Sequence, residues 1–228
     1  MRTKSNVDEP ERLLERILAE PDPNSRKVGV LTNRLLAEFH RGYPIENLRP
    51  LLRSKDERVI NTGVWIASEL GEKGKPLLSD VSPLLAHPLK KPRFFAIDCI
   101  LLWAGPSNKS DVASVIALLD DAEAAVRWKA MDFLSRASRE QLQAALSHLA
   151  VKEPQSRHVG GLQWLLGSDA SNPKEVIAAL QSKDSLIRKY GMVGAVRMST
   201  GNTEPLFYAS SVEDTDVKDF ADSNIRLL

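Results

Sequence analysis

Three positions in the middle of the chain carry a large aromatic residue followed four residues later by a carboxylate. On a helix, four residues place the second side chain one turn beyond the first, on the same face. Aromatic side chains supply rigid contact area in protein interfaces, and carboxylates select a cationic partner. The candidate partner-binding residues are therefore Trp65, Glu69, Phe94, Asp98, Trp128 and Asp132.

The same residues also have a structural interpretation, which the sequence leaves open. Large aromatic side chains on helices often pack in a core, so Trp65 and Trp128 either face a partner or pack between neighbouring helices. A register shift of one residue would turn Phe94 inward and expose Phe95 instead. For Asp98 and Asp132, the alternative is a salt bridge with Arg93, with Arg127 or with a neighbouring segment, because burial of an unpaired carboxylate is costly.

The motifs that indicate catalysis or a bound metal are absent from the sequence. No histidine lies three or four residues from another histidine or a cysteine, and there is no H-E-x-x-H, G-x-S-x-G, P-loop or G-x-G-x-x-G motif. Cys99 lies in an apolar stretch, which favours an inert buried thiol over a nucleophile. Trp103 and Trp164 lie among leucines and are expected in the core. We therefore predict no catalytic residue, no metal, no cofactor and no enzymatic activity.

Charge and composition narrow the classes of partner. The 228 residues include 31 basic and 30 acidic ones, for a net charge of +1. A strong basic field is thus missing, and we expect neither nucleic acid nor a membrane surface as the main partner. The polar start of the chain predicts no secretory signal. No apolar run reaches the ~18 residues of a membrane span. A single cysteine suits a reducing compartment. These features favour a monomeric cytoplasmic protein.

A small residue, Gly or Ala, recurs seven times at intervals of 30 to 34 residues. Three residues before it the chain is cationic in six of the seven copies. A fixed period of this size is typical of a solenoid, in which each repeat buries its apolar face against its neighbours. The recurrent small residues are Gly29, Gly63, Ala96, Ala130, Gly160, Gly191 and Ala221.

Apolar spacing and cap residues divide each repeat into two helices. Ser54 and Ser138 are predicted to open helices through capping boxes, and Asn172 through an N-cap followed by proline. We expect a flexible tail over residues 1–7 and a single solenoid domain over 8–228. Aspartates in the turns between paired helices are expected to cap helix N-termini. Small residues at the helix crossings should be buried, namely Gly63, Ala96, Ala130 and Gly191.

Two segments resemble the opening of the second helix in HEAT repeats: V-R-W-K-A at 126–130 and I-R-K-Y-G at 187–191. The resemblance implies an all-α, right-handed solenoid of about seven helix-pair repeats. It also implies that the second helix of each pair lines a concave face. The residues two positions before and two positions after each recurrent small residue should then project there. This places Trp65, Phe94, Asp98, Trp128 and Asp132 on one concave surface, with Glu69 one turn beyond Trp65.

A narrower resemblance connects the chain with bacterial HEAT-repeat proteins that act as antitoxin or immunity partners of secreted toxins. It is carried by three segments, residues 63–71, 93–101 and 126–130. It implies a protein partner, a basic nuclease-type toxin domain, with carboxylates that mimic phosphate and aromatic side chains that anchor the contact. The function expected from the sequence is therefore toxin neutralisation by a protein-binding module.

An enzymatic alternative is a HEAT-like DNA glycosylase that removes alkylated purines, with Trp65, Trp128, Asp98 and Arg93 in the cleft. Such a cleft should be basic to hold phosphates, whereas this one would carry at least three acids. We therefore expect no tight binding of duplex DNA. A phycobilin-type lyase or chaperone is a third use of the same repeats, without specific support from this sequence.

Overall fold

The computed structural model describes residues 9–20, 22 and 25–228. The tail predicted for residues 1–7 lies outside them. Over the described residues the chain is helical throughout and contains no strand, which confirms the all-α class. The α-helices are α1 Glu9–Ala19, α2 Arg26–His40, α3 Arg49–Leu52, α4 Glu57–Glu69, α5 Leu78–Val81, α6 Lys90–Trp103, α7 Lys109–Ala117, α8 Ala124–Arg136, α9 Arg139–Lys152, α10 Arg157–Leu166, α11 Pro173–Leu180, α12 Ser185–Met198, α13 Glu204–Ala209 and α14 Thr215–Ile225.

These helices form the seven pairs expected from the repeat. In the second, third and fourth pairs the first helix is broken into short α and 3-10 pieces. Proline accounts for much of this, because it lacks the N–H that continues a helix. Pro76 lies inside one 3-10 segment, Pro83 and Pro106 lie in the first turns of two others, and Pro50 lies in the first turn of α3. The 3-10 segments are Ile45–Leu48, Gly71–Leu77, Ser82–Ala86, Pro106–Asn108, Leu118–Asp120 and Asp169–Ser171.

Side-chain caps start most of the second helices. Asp56, Asp184 and Asp214 accept hydrogen bonds from backbone N–H groups in the first turns of α4, α12 and α14, as expected. The capping box of Ser138 with Gln141 and the N-cap of Asn172 are also confirmed. The box predicted at Ser54 is wrong, because Asp56 caps α4.

Two glycines confirm the role predicted for the recurrent small residue. A Cβ atom on Gly63 would come within 2.7 Å of the Leu51 Cβ, and one on Gly191 within 3.0 Å of Ala179 and Leu180. Ala96 and Ala130 are fully buried. These positions let the two helices of a repeat approach closely. Gly29 and Gly160 recur with the same period but are not close-packed, because both are exposed and a Cβ there would meet no atom within 4 Å.

The chain divides into two compact units, Met1–Trp103 and Ala104–Leu228. The single domain over residues 8–228 stays a prediction. In the first unit the second helices follow one another in order, since α2 packs against α4 and α4 against α6. Cys99 and Trp103 are buried in its core, as expected, and burial raises the pKa of the Cys99 thiol well above its usual range. A raised pKa keeps this thiol protonated and unreactive.

A buried acid links two first helices of the first unit. The Asp80 side chain is 1% exposed and lies between Arg49 and Arg53. The Arg53 Nε atom donates to Asp80 Oδ1 at 2.7 Å, and Arg49 also donates to the Pro76 carbonyl at 3.0 Å. The carboxylate therefore ties α3 to α5, consistent with the rule that buried charges are paired.

In the second unit, helix packing does not simply follow the order of the repeats along the chain. Its helix α12 packs against α11 and α10, but also directly against α8 and α14. The helix α8 therefore contacts a repeat two places further along the chain. Eight residues of α12 are buried, including Lys189, whose amine donates to the Leu119 carbonyl at 2.7 Å. The helix α12 is thus the central element of this unit.

The recurrent arginine joins repeats in the second unit. Arg157 binds Asp184 of the next repeat at 2.6 Å, and Arg188 binds Asp214 at 2.6 Å. Each aspartate also caps its own helix, so one carboxylate fixes both a helix start and the neighbouring repeat. In the first unit Arg93 donates to the His87 and Pro88 carbonyls of its own turn, at 2.7 and 3.0 Å.

A candidate recognition cleft around Trp65

Trp65 lies on the wall of a cleft of about 450 Å³ in the first unit. On α4 the inward residues Ile60, Val64 and Ile66 are buried, which leaves the neighbouring Trp65 half-buried at the edge of the core. The opposite wall is one face of α2, and the start of α6 closes one side. The cleft is lined by Ile17, Ser25, Val28, Gly29, Thr32, Asn33, Glu57, Arg58, Asn61, Thr62, Trp65, Lys91 and Phe95.

Asn61 lies one turn before Trp65 on the same wall of the cleft. Its Oδ1 atom is enclosed and has no hydrogen-bond partner among the described residues. An enclosed acceptor of this kind costs about 1–3 kcal/mol, so native proteins rarely retain one without a use. In the sequence, its polarity alone does not distinguish Asn61 from an ordinary exposed amide.

The charges around the cleft are of both signs. Glu57 and Lys91 are exposed at its border. Arg58 is held by the structure, since its guanidinium donates to the Leu18 carbonyl at 2.9 Å and lies 3.5 Å from Asp56. It thereby joins the end of α1 to the start of α4. The sequence predicts an acidic binding surface, and the acidic side chain that lines the cleft itself is Glu57.

Phe95, and not Phe94, lines the cleft beside Trp65. Both phenylalanines are half-buried, and their rings meet edge to face with centroids 5.2 Å apart. Of the two acids placed with them, Asp98 is half-buried one turn after Phe94, and Glu69 is exposed at the end of α4. The first unit therefore contains four of the candidate residues, Trp65, Glu69, Phe94 and Asp98. Phe95, which the sequence offered only as the alternative to Phe94, is the phenylalanine that lines the cleft.

Trp128 belongs to the second unit and is half-buried there. Its ring packs edge to face against Phe220 of α14, with centroids 5.2 Å apart, and the Lys129 amine lies 5.9 Å from the ring centroid. The packing of α14 on α8 accounts for this contact. Trp128 thus has a structural role within its unit.

Asp132, the second candidate in this unit, is already compensated by two cations. Its Oδ2 atom lies 3.5 Å from the Lys129 Nζ and 3.4 Å from the Arg136 Nη1, and the side chain is 19% exposed. The salt bridge to Arg127 that the sequence suggested does not form, because Arg127 binds Asp216 instead. A charge-compensated acid attracts a cationic partner less strongly than a free one.

The expectation that the second helices of later repeats present an open face is wrong for two of them. His158 and Leu162 on α10, and Lys189 and Val193 on α12, are all buried. The physical reason is the central place of α12, which packs against α8, α10 and α14 together. Within this unit the pattern of a regular stack therefore fails at α10 and α12.

Two observations concern other classes of site. In the part of the chain that the structure describes, no group of three or more His, Cys, Asp or Glu side chains is placed to hold a metal ion. Among the described helices, none is both long and apolar enough to cross a membrane.

Comparisons with known proteins identify the fold. No protein-family model matches the sequence, and no curated protein matches it. A designed armadillo repeat protein in complex with the peptide (KR)4 is similar in structure, with a TM-score of 0.50 and 14% identity over 96% of this chain and 98% of that one. A second designed armadillo repeat protein aligns with a TM-score of 0.49 and 15% identity over 95% and 98% of the two chains.

The chain is therefore an all-α helical-repeat protein of the solenoid type. At this identity the similarity concerns the fold alone. Folds of this type serve many purposes, so the function has to be argued from the surface of this chain.

Proposed function

We propose that the protein is a polypeptide-binding helical-repeat module and that the Trp65 cleft is part of its binding surface. The observation that carries the proposal is the combination of a half-exposed tryptophan with an unsatisfied amide oxygen on one wall of a cleft. Tryptophan is enriched among the residues that dominate binding energy in interfaces. A polypeptide offers both an apolar side chain for Trp65 and backbone N–H groups for an amide such as Asn61.

The walls of the cleft fit an extended partner better than a compact ligand. Thr32 and Asn33 on α2 and its N-cap residue Ser25 line the side of the cleft opposite Asn61 and Trp65 on α4. Short polar side chains placed along a groove can bind the regularly spaced polar groups of a backbone. Gly29 adds to the open space, because it has no side chain and nothing lies within 4 Å of the place its Cβ would take.

A finer part of the proposal concerns the charge of the partner. The exposed acids Glu57 and Glu69 at either end of α4 favour a basic segment, with Asp98 on the neighbouring helix. A designed repeat protein of similar fold was solved in complex with the basic peptide (KR)4, which supports a basic segment as a candidate partner. Within this class we propose a toxin-neutralising role, as an immunity protein that covers a basic nuclease domain.

The alternative glycosylase gains no support from the geometry around its proposed arginine. Arg93 donates to two carbonyls of its own turn, which commits the guanidinium to the protein. The first candidate therefore stays the protein-binding one.

Titration with the basic peptide (KR)4 tests the general proposal. We expect measurable binding at low ionic strength that weakens as salt is added, since the attraction is electrostatic. Trp65→Ala should weaken it at least about tenfold, in the range of interface anchors. Glu69→Gln should weaken it less and reduce its salt dependence.

Two control variants separate a specific effect at the Trp65 cleft from a general effect of losing an aromatic side chain or a negative charge. Phe207→Ala removes an aromatic residue that is 53% exposed in the second unit, and Glu153→Gln removes one exposed negative charge there. Both should leave the affinity for (KR)4 unchanged. Absence of binding by the wild type, or equal losses in the control variants, would refute the cleft as a site for basic polypeptides.

The toxin-neutralising role needs the natural partner. Affinity capture from the native cell with the wild type and with Trp65→Ala as a comparison should enrich a basic nuclease with the wild type only. Purified protein should then stop that nuclease from cleaving nucleic acid. If the partner captured only by the wild type has no nuclease activity, the result supports a binding module and contradicts the immunity role.

A further inference from the structure

A second concavity, which the sequence analysis did not anticipate, lies between α10 and α12 in the second unit. Its volume is about 290 Å³, near the lower end of the range typical of small-molecule sites. Trp164, expected in the core, is instead half-buried on its wall. The pocket is lined by Arg157, Gly160, Gly161, Trp164, Asp184, Leu186, Ile187 and Tyr190.

Two aromatic side chains are fixed in this pocket by glycines on the opposite helix. Tyr190 of α12 lies so close to Gly161 of α10 that a Cβ atom there would come within 2.1 Å of the tyrosine ring. In return, a Cβ atom on Gly194 of α12 would come within 3.1 Å of the Trp164 ring. Both rings are therefore held against bare backbone, so the half-buried Trp164 forms a fixed aromatic wall of the pocket and the buried Tyr190 forms its base.

The interior of the pocket is apolar. Tyr190 is 2% exposed and its hydroxyl group lies 3.3 Å from the His158 Nδ1, so it forms the closed base of the pocket and offers no free polar group there. Leu186 forms a buried part of the lining, and Ile187 extends it to the surface while 47% exposed. An apolar ligand that covered Ile187 and the exposed part of Trp164 would remove this surface from water.

The charged groups of the pocket compensate each other. Arg157 and Asp184 form an ion pair of 2.6 Å at its border, and Asp184 also caps α12. A ligand of either charge would have to compete with this pair, whereas a neutral ligand leaves it intact. The border therefore complements an uncharged occupant.

From this geometry we infer that the pocket between α10 and α12 binds a neutral, planar aromatic compound of one or two rings. The exposed part of the fixed Trp164 ring favours stacked or edge-to-face contacts with such a ring. Gly160 supplies the remaining space, because nothing lies within 4 Å of the place where its Cβ would be. The site is separate from the Trp65 cleft, and its occupation does not depend on the polypeptide-binding function proposed above.

Indole is a suitable probe, because it is neutral, planar and composed of two fused rings. We expect saturable binding of indole to the full chain by calorimetry, with a Kd of about 1 mM or tighter, the range open to a ligand of this size. In proton–nitrogen spectra the indole N–H resonance of Trp164, assigned with a Trp164→Phe variant, should shift during the titration.

Gly160→Leu is the decisive variant. Its side chain would grow into the open space of the pocket, so the affinity for indole should fall at least tenfold. The matched control is Gly29→Leu, which places the same side chain at an exposed helical glycine in the first unit that likewise has no atom within 4 Å. Circular dichroism should show both variants folded, and Gly29→Leu should bind indole as the wild type does.

A second variant covers the case in which Gly160→Leu fails to fold. Ile187→Ala shortens an exposed wall without opening the core and should weaken indole binding severalfold. Lack of saturable binding by the wild type up to several millimolar would overturn the inference. Loss of binding in Gly29→Leu but not in Gly160→Leu would do the same, because it would place indole in the Trp65 cleft.

Discussion

Arg127 on α8 binds Asp216 on α14 through two parallel hydrogen bonds, of 2.6 Å from Nε and 2.9 Å from Nη2, across 89 residues of sequence. The same guanidinium donates to the Asp121 and Ala122 carbonyls of its own turn, at 2.8 and 3.0 Å. Its hydrogen bond with Asp216 raises the pKa of Arg127 further above its usual range. One side chain therefore fixes the start of α8 and attaches the last helix of the chain to it.

Replacing this acid should destabilise the second unit. Asp216→Asn removes a charge-assisted pair and leaves the partly buried Arg127 without its counter-ion, which should cost about 1–3 kcal/mol. Urea unfolding at neutral pH measures the difference. Asp219→Asn, an exposed acid on the same helix, is the control and should change stability by less than about 0.5 kcal/mol. Equal effects of the two substitutions would show that the pair contributes little.

Adjacent glycines on α10 should respond in opposite directions to the same substitution. Gly161→Ala would place a methyl group against the Tyr190 ring and should cost about 1–3 kcal/mol through overpacking. Gly160→Ala meets no atom within 4 Å and should stabilise the helix by up to about 1 kcal/mol, the usual preference for alanine. Thermal or urea unfolding of the two variants gives the comparison directly. A stable Gly161→Ala protein would mean that the tyrosine ring moves freely.

The crossing of α11 with α12 should tolerate a large residue poorly. Gly191→Leu would bring a branched side chain to a position where even a Cβ lies 3.0 Å from Ala179 and Leu180. Because part of this contact is backbone, it cannot relax by a rotamer change, and we expect a loss of about 1–3 kcal/mol or more. Urea unfolding measures it, with the exposed Gly160→Leu as the reference. Wild-type stability in the Gly191 variant would contradict close packing at this crossing.

The buried His158 should make the second unit sensitive to mild acid. Burial lowers its pKa from the usual 6.5, with Arg157 and Lys189 acting in the same direction and Asp120 and Glu153 opposing. The unfolded chain therefore takes up the proton more readily than the folded one. The free energy of unfolding should be at its full value above about pH 6.5 and should fall as the pH drops below it.

Unfolding experiments between pH 7.5 and 5 test this dependence. The ring contacts Tyr190 at 3.3 Å and lies 3.6 Å from Asp120, so a His158→Gln variant loses the titrating group while it keeps a polar side chain at the site. Its stability should vary less over this range than that of the wild type. His40→Gln, which changes an exposed histidine in the first unit, should retain the wild-type dependence. An identical pH profile in the His158 variant would assign the acid sensitivity elsewhere.

The sequence predicted the helix pairs well because the signals involved are local. A cap such as Asp184, or a small residue such as Gly63, acts on atoms within one repeat, and both recur with the period. The same holds for Cys99 and Trp103, whose burial follows from the apolar helix that carries them. The all-α class and the solenoid type could therefore be obtained from spacing alone.

The surface was predicted less well because exposure depends on packing between distant segments. His158 and Lys189 occupy the positions expected to face outward, but α12 lies at the centre of its unit and buries them. Asp132 appeared available in the sequence, whereas Lys129 and Arg136 on its own helix lie next to its carboxylate. The cleft at Trp65 and the pocket at Trp164 each depend on a neighbouring helix that no single repeat specifies.

The direct packing of α12 against α8 has a consequence for how this protein can change in length. In a regular stack, a repeat can be gained or lost by duplication or deletion, because each one meets only its two neighbours. In the second unit, loss of the repeat that contains α9 and α10 would shorten the chain between α8 and α12, which are in direct contact. Loss of the last repeat would take away Phe220 and Asp216, which cover α8. In the first unit the second helices contact one another in chain order, which permits the gain or loss of a repeat. In the second unit, loss of a repeat would disrupt contacts between helices of distant repeats.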